Sequence, residues 1–420
     1  MEKFLIKGPC KVKGDVIISG AKNSVLPLLA ASILFDKIVI LKNVPFVQDV
    51  HTMCKLLQTL GSTVEISTQK KTIKILKKKK LKLIVPYNLV KTMRAGVLAM
   101  GPLLGKYHKC KVSLPGGCNL GLRKINFHLN GFNKLGAKFK IIKGYVNISS
   151  KKGLVGNNVF RFPKITVTGT SNLIMASIFS NGITTLKNIS IEPEVIDLIN
   201  FLNKGGAKIK FIGKRTLAIK GINSLKSVTH EVIGDRIEAF SYLCVAAITG
   251  GSLKIEKINP KFLANEINVL KKIGCKLKVL KNSIFIKGVK KIKPTKVKTS
   301  PYPGFATDNM PLLMSVLSLS KGKSEILETI FENRFMAAPE LNRMNASISI
   351  KNNKAIIIGK NNLQSAECMA SDLRSCFAII IAALAASGTS LISRIYNGRR
   401  GYYQIEKKLR SIGANIRRIT

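Results

Sequence analysis

Three short stretches of the 420-residue chain carry side chains able to move protons or attack an electrophile. In Ser113-Leu-Pro-Gly-Gly-Cys-Asn-Leu-Gly-Leu-Arg123 a single thiol, Cys118, follows a glycine pair and precedes Arg123 and Lys124. Glycine frees the backbone and nearby positive charge favours the thiolate, so Cys118 reads as a reactive group; a buried loop thiol is the alternative. In Tyr302-Pro-Gly-Phe-Ala-Thr-Asp-Asn309 a constrained loop leads to Asp308 and could aim its carboxylate as a general base. In Ser19-Gly-Ala-Lys-Asn-Ser24, Lys22 and Asn23 open a helix, where a lysine is placed either as an ordinary surface cation or to meet a phosphate or carboxylate. The chain has only seven Asp, and Asp235 and Asp372, like Asp308, begin apolar helical runs. A carboxylate there caps free N–H groups, a reading that stands beside any role in chemistry.

The elements that must hold these residues follow a repeat. Apolar-x-x-apolar-Gly-small-x-apolar recurs as LLQTLGSTV, FNKLGAKF, LNKGGAKI, LKKIGCKL, LNRMNASI and LRSIGANI. The central residue falls at 61, 136, 206, 274, 345 (Asn) and 413, giving six units of about 70 residues. A helix closing at each of these positions needs a residue that tolerates positive φ. Five units show a nearly all-apolar first helix, from SGAKNSVLPLLAASIL, TGTSNLIMASIFS, GDRIEAFSYLCVAAI, TDNMPLLMSVLSL and SDLRSCFAIIIAALAA. A glycine turn and a strand follow each of the last four, as in Gly182-Ile-Thr-Thr-Leu186 and Gly251-Ser-Leu-Lys-Ile255. The unit is βαβαβ-like, and helices apolar all round predict helices packed inside sheets. Six units exceed one core, so two domains of three are expected, with the active site in the interdomain cleft.

Composition bounds the function. With 46% hydrophobic residues the chain is globular. The longest apolar run, Cys376 to Ala386, is too short to span a bilayer, and Phe4-Leu5-Ile6 is too short a core for a secretion signal, so a cytoplasmic protein without membrane partners is expected. Eight cysteines without a C-x-x-C pair and four histidines without metal-like spacing argue against a disulfide framework or a metal site. A net charge of +49 invites a nucleic-acid reading. The lysines are scattered through almost every segment instead of forming a recognition surface, so no nucleic-acid partner is expected.

The motifs SGAKNSVLPLLAAS, LVKTMRAG, SLPGGCNLGLR, ITVTGTSNLIMA, IFENRFM, SDLR and RIY…RGY, in order along the whole chain, resemble the enolpyruvyl transferase family, in its branch acting on UDP-N-acetylglucosamine. The resemblance implies two inside-out α/β barrel domains, one of residues 22–233 with the cysteine loop, the other discontinuous, of residues 1–21 and 234–420. It implies transfer of the enolpyruvyl group of phosphoenolpyruvate to the sugar 3-hydroxyl, opening peptidoglycan precursor synthesis, with no cofactor and no metal. Cys118 is then the proton donor, able to form a covalent phosphoenolpyruvate adduct, and Asp308 the base. Lys22, Asn23, Arg123 and Arg400 match phosphoenolpyruvate-binding positions. Arg94, Arg123, Lys124, Ile125, Asn126, Phe127, Asp308 and Ile330 match nucleotide-sugar positions, while Arg334, Asp372 and Arg374 match cleft-lining ones.

The family commonly reads Pro-Val-Asp-Leu where this chain reads Lys124-Ile125-Asn126-Phe127, so a carboxylate contact is lost at Asn126, and Arg399 replaces a common Asp. The cysteine loop reads as a lid that closes over bound substrates. The rival within the family, the shikimate-pathway enolpyruvyl transferase, lacks the Pro-Gly-Gly-Cys loop. The rival from another class, a basic nucleic-acid-binding protein, explains the charge but neither the repeat nor the loop.

Overall fold

The recurring glycine positions fix the architecture. Each ends an outer helix in left-handed backbone, with φ of 109° at Gly61, 89° at Gly136, 100° at Gly206, 107° at Gly274, 68° at Asn345 and 90° at Gly413. A β-carbon there costs energy unless the residue is Asn, which accounts for the one substitution. The computed structural model describes residues 2–77, 81–114 and 125–420. Cys118, Arg123, Lys124 and the lid reading of their loop lie outside the described residues.

After five of the outer helices the chain makes a two-stranded hairpin, so the unit is βαβαββ, one strand more than its sequence pattern suggests; after the sixth, Ile405–Ser411, a single strand Asn415–Ile419 pairs antiparallel with Lys3–Gly8. Residues 158–220 show it whole: strand Asn158–Arg161, helix Val167–Ser177, strand Ile183–Lys187, helix Pro193–Lys204, strands Lys208–Gly213 and Thr216–Lys220. The first two strands pair parallel, Asn158 opposite Thr184, and the hairpin adds antiparallel, Thr184 opposite Ile219. Among the described residues six four-stranded mixed sheets result. Their strands alternate buried and accessible residues, as in Thr216–Lys220, because one face packs on the helices.

The first helix of each unit is buried on every side. In Arg236–Thr249 thirteen of fourteen residues are buried, and in Leu373–Ala385 eleven of thirteen. An all-round apolar sequence is stable only where no face meets water, so helices lie inside and sheets outside.

The second unit hid its inner helix from the sequence pattern. It is a 3-10 turn, Arg94–Ala99, running into the helix Met100–Tyr107, and Gly96, Gly101, Pro102 and Gly105 weaken its helical signature. Two of those glycines are required by packing. A β-carbon on Gly101 would lie 2.3 Å from the Asn172 carbonyl oxygen, and one on Gly105 would lie 2.7 Å from that of Ala176. Gly101→Ala is therefore expected to cost about 1–3 kcal/mol as an overpacked contact. A melting temperature lower by several degrees in calorimetry would show it, and an unchanged one would refute the argument.

Among the described residues the chain divides into two compact units. One comprises residues 20–114 and 125–233, the other residues 2–19 and 234–420. The second draws two strands from the amino terminus: Lys13–Ile17 pairs parallel with Ser252–Glu256, and Lys3–Gly8 lies between Gly388–Ser393 and Asn415–Ile419. No helix among the described residues is long and apolar enough to cross a membrane.

Candidate active site

In the unit containing residues 234–420, Asp308 sits in the 3-10 turn Thr307–Asn309 ahead of the helix Met310–Leu317. It caps nothing. Instead Arg334 Nη2 donates to Oδ1 at 2.8 Å, and Arg374 donates to Oδ2 from Nε at 3.1 Å and from Nη2 at 2.9 Å. Both guanidinium side chains are almost wholly buried, at 2% and 3% exposure, whereas the carboxylate keeps 26%. The two arginines thus hold an accessible acceptor in one orientation, which a proton-accepting group needs before its strength matters. Burial alone would lower the Arg374 pKa, but Tyr402, Asp308 and Asp235 outweigh it and raise the value above the usual one. The Arg374 guanidinium carbon lies 5.1 Å from the centre of the Tyr402 ring.

The other two helix-opening aspartates are caps. Asp235 Oδ1 accepts from the N–H groups of Ile237 and Glu238 at 2.8 and 3.1 Å. Asp372 Oδ1 accepts from those of Arg374 and Ser375 at the same distances, so it orients the helix carrying Arg374. Ile330 is exposed on the loop before Arg334. Arg400, partly buried, follows the short helix Tyr396–Arg399, and Arg399 is bound to Glu2 at 2.6 Å.

In the unit containing residues 20–233, Lys22 is the first residue of the helix Lys22–Ala31, whose start has no side-chain cap. Its ammonium lies 3.2 Å from Asp49 Oδ2, and both residues are buried. Asn23 is partly accessible beside it. Ser24 donates a short hydrogen bond to Asp197, whose other oxygen lies 2.8 Å from His230 Nε2. The helix start is thus fixed from two sides by buried carboxylates, and its partial positive charge suits an anion. Arg94 opens the 3-10 turn of the second repeat. Ile125 is buried ahead of the helix Asn126–Lys134, on which Asn126 is exposed and Phe127 partly so. The structure therefore brings Asp308, Arg334 and Arg374 together in one unit and Lys22 and Asn23 in the other.

His128, in the same helix, is held neutral. Burial first and the Arg94 charge second push its pKa down to about 3. Asn172 Nδ2 donates to its Nδ1 at 2.8 Å, and Thr168 Oγ1 lies 3.3 Å from Nε2. This network ties three helical segments of the unit, since Asn172 also donates to Val97 O and accepts from Gly101 N.

The same physics disfavours the thiolate at each described cysteine. Burial raises the thiols of Cys54, Cys110, Cys275 and Cys376 to about 12 and that of Cys368 to about 11, and it raises Cys10 and Cys244 as well. Among the described residues no group of three or more His, Cys, Asp or Glu is arranged to hold a metal ion.

Comparison with known proteins adds what geometry alone leaves open. Residues 6–409 match the family described as EPSP synthase (3-phosphoshikimate 1-carboxyvinyltransferase). The chain belongs to the enolpyruvyl transferase family. Within that family a relative from Pelagibacter ubique (strain HTCC1062), named UDP-N-acetylglucosamine 1-carboxyvinyltransferase, is 51% identical over 419 residues, covering 100% of each chain. One of the same activity name, numbered 1, from Caldanaerobacter subterraneus subsp. tengcongensis is 44% identical over 417 residues, covering 99% of each. Among solved structures, the enolpyruvyl transferase NikO from Streptomyces tendae superposes with a TM-score of 0.90 at 21% identity, covering 100% of this chain and 99% of that one. An EPSP synthase from Acinetobacter baumannii gives 0.78 at 18% identity, covering 100% of both. These two structures speak for the fold: a two-domain enolpyruvyl transferase of mixed α/β build.

Sequence reasoning missed Asp49, the ion-pair partner of Lys22, and Asp197 with His230, which reach the same helix start through Ser24. Their signal is tertiary. Asp197 and Ser24 are separated by 173 positions, and nothing local in either sequence announces the other.

Proposed function

We propose that the chain transfers the enolpyruvyl group of phosphoenolpyruvate to the 3-hydroxyl of UDP-N-acetylglucosamine, releasing phosphate in the first committed step of peptidoglycan precursor synthesis. The 51% identity over the full length of a relative named for that reaction carries the reading. In it, both units contribute residues to the reaction, which runs in the cytoplasm and requires neither nucleic acid nor a metal.

Asp308 accepts the proton of the sugar 3-hydroxyl, and the oxygen attacks the carbon of phosphoenolpyruvate that bears phosphate. Cys118 delivers a proton to the methylene carbon, completing a tetrahedral phosphate ester. Loss of a proton from the new methyl group then expels phosphate and leaves the enol ether. Alternatively the Cys118 thiol adds across the double bond, its sulfur bonding to the phosphate-bearing carbon and its proton passing to the methylene carbon, which gives the covalent adduct. Lys22, Arg123 and Arg400 hold the phosphate and carboxylate of phosphoenolpyruvate, with Asn23 beside the reacting carbon. These charge-assisted contacts stabilise the anionic intermediate. Arg94, Ile330 and residues 123–127 hold the nucleotide sugar. Asn126 cannot supply a carboxylate contact, so the uridine end depends on main-chain groups there. Arg334, Arg374 and Asp372 orient Asp308.

Phosphate release from phosphoenolpyruvate, assayed with UDP-N-acetylglucosamine and with shikimate 3-phosphate as alternative acceptors, tests the reading. Turnover is expected with the first alone. Turnover with the second alone would move the chain to the shikimate branch.

A further inference from the structure

Glu328, at the end of the strand Lys323–Leu327, is 1% exposed. A carboxylate tolerates such burial only when its lone pairs are satisfied. Three donors converge on it. The N–H groups of Ile330 and Phe331 donate to Oε1 at 2.7 and 3.1 Å, and the Thr307 hydroxyl donates to Oε2 at 2.9 Å.

The carboxylate is itself anchored. The Glu328 N–H donates to the Asn353 carbonyl at 2.8 Å, and its own carbonyl accepts from Asn353 Nδ2 at 3.0 Å. Next along, the Thr329 N–H donates to Thr299 Oγ1 at 2.9 Å and its hydroxyl donates to the Thr299 carbonyl at 2.7 Å. From this fixed point one oxygen sets the main chain of the loop bearing Ile330, and the other sets the turn bearing Asp308. Arg334 closes the ring, donating from Nε to the Thr307 carbonyl at 3.0 Å and from Nη2 to Asp308.

We propose that Glu328 is a positioning residue for the nucleotide sugar: its carboxylate fixes the main chain at Ile330 and, through Thr307, the aim of Asp308. The proposal rests on the reading of Asp308 and Ile330 as contacts of UDP-N-acetylglucosamine. Glu328 is too buried to touch substrate and acts through its neighbours. Displacement of a reacting group by about 1 Å is enough to cost on the order of a hundredfold in rate, so a rigid charged anchor in that place has leverage.

Four proteins test it: wild type, Glu328→Ala, Glu328→Gln and, as a control, the exposed Glu332→Gln. Glu328→Ala should speed amide exchange at Ile330 and Phe331 by about tenfold or more, the loss of a hydrogen bond to a charged acceptor. It should raise KM for UDP-N-acetylglucosamine by about tenfold and lower kcat, while KM for phosphoenolpyruvate moves less than about twofold. Gln keeps an oxygen for the two amides and an N–H for Thr307, whose hydroxyl can turn to accept, so Glu328→Gln should recover most of both losses. Glu332→Gln should behave as wild type. If Glu328→Ala does not fold, Thr307→Val removes one arm alone and should lower kcat while leaving exchange at Ile330 unchanged.

Unchanged exchange and unchanged KM in Glu328→Ala would overturn the proposal, as would unchanged kcat in Thr307→Val. Both KM values rising in parallel would reduce Glu328 to a general structural role. A wild type that turns over no UDP-N-acetylglucosamine would instead sink the substrate reading, and amide exchange would still decide whether Glu328 holds the loop.

Discussion

Cys118→Ser is expected to lose about 10²–10⁴-fold in kcat, the usual worth of a positioned general acid, and an epoxide analogue of phosphoenolpyruvate is expected to alkylate Cys118 alone. The second half of that expectation comes from the other seven thiols. A thiol with a pKa near 12, such as Cys54 or Cys376, has only about one part in 10⁴–10⁵ as thiolate near neutral pH. A thiol near the ordinary 8.5 has several parts in a hundred. Burial therefore silences the background. Cys10, only partly buried and with its pKa raised by that burial, is the most accessible rival. Peptide mass spectrometry after limited labelling should find the adduct on the 113–123 segment. Comparable labelling of Cys10 or Cys368 would contradict the selectivity, and retention of most turnover by Cys118→Ser would remove the acid role.

The second large effect concerns Asp308. Asp308→Asn keeps an oxygen for the arginines but removes the proton acceptor, so kcat should fall by about 10²–10⁴-fold with both KM values nearly unchanged. Asp308→Ala should in addition destabilise the protein, because Arg334 and Arg374 are left buried without their carboxylate. Breaking a fully buried pair costs about 3–5 kcal/mol, and the 26% exposure of the Asp308 side chain makes the cost smaller here. Urea unfolding separates the two variants: Asn should stay closer to wild type than Ala. If Asp308→Asn keeps kcat within about tenfold, the base lies elsewhere.

The repeat was legible because its marks are local. A glycine or asparagine at positive φ every 70 or so residues is written at one position, and an inner helix apolar on every side is written in one run. The inner helix at residues 100–107 escaped because close packing against Val167–Ser177 demanded glycines, and glycines erase the helical signature. At the candidate site the chemistry-bearing residues could be read, but their supports could not. Asp235, Asp308 and Asp372 all look like helix caps in sequence, and only the tertiary placement of Arg334 and Arg374 separates the second from the other two. The Asp197–His230 and Glu328–Thr307 pairs likewise exist only after the chain has folded.

The strand Lys3–Gly8 pairs Phe4 with Ile392 on one side and Ile6 with Ile416 on the other. Strand Lys3–Gly8 is thus completed by strands far along the chain. Residues 20–233 can bury their inner helices while synthesis continues, but the sheet that holds Lys3–Gly8 cannot close until Asn415–Ile419 has been made. Until then an apolar strand with unpaired edges waits in the nascent protein, the kind of surface that chaperones hold. Truncation ahead of Asn415–Ile419 would leave one edge of Lys3–Gly8 open. Closure of that unit therefore waits on strands made early and late in synthesis.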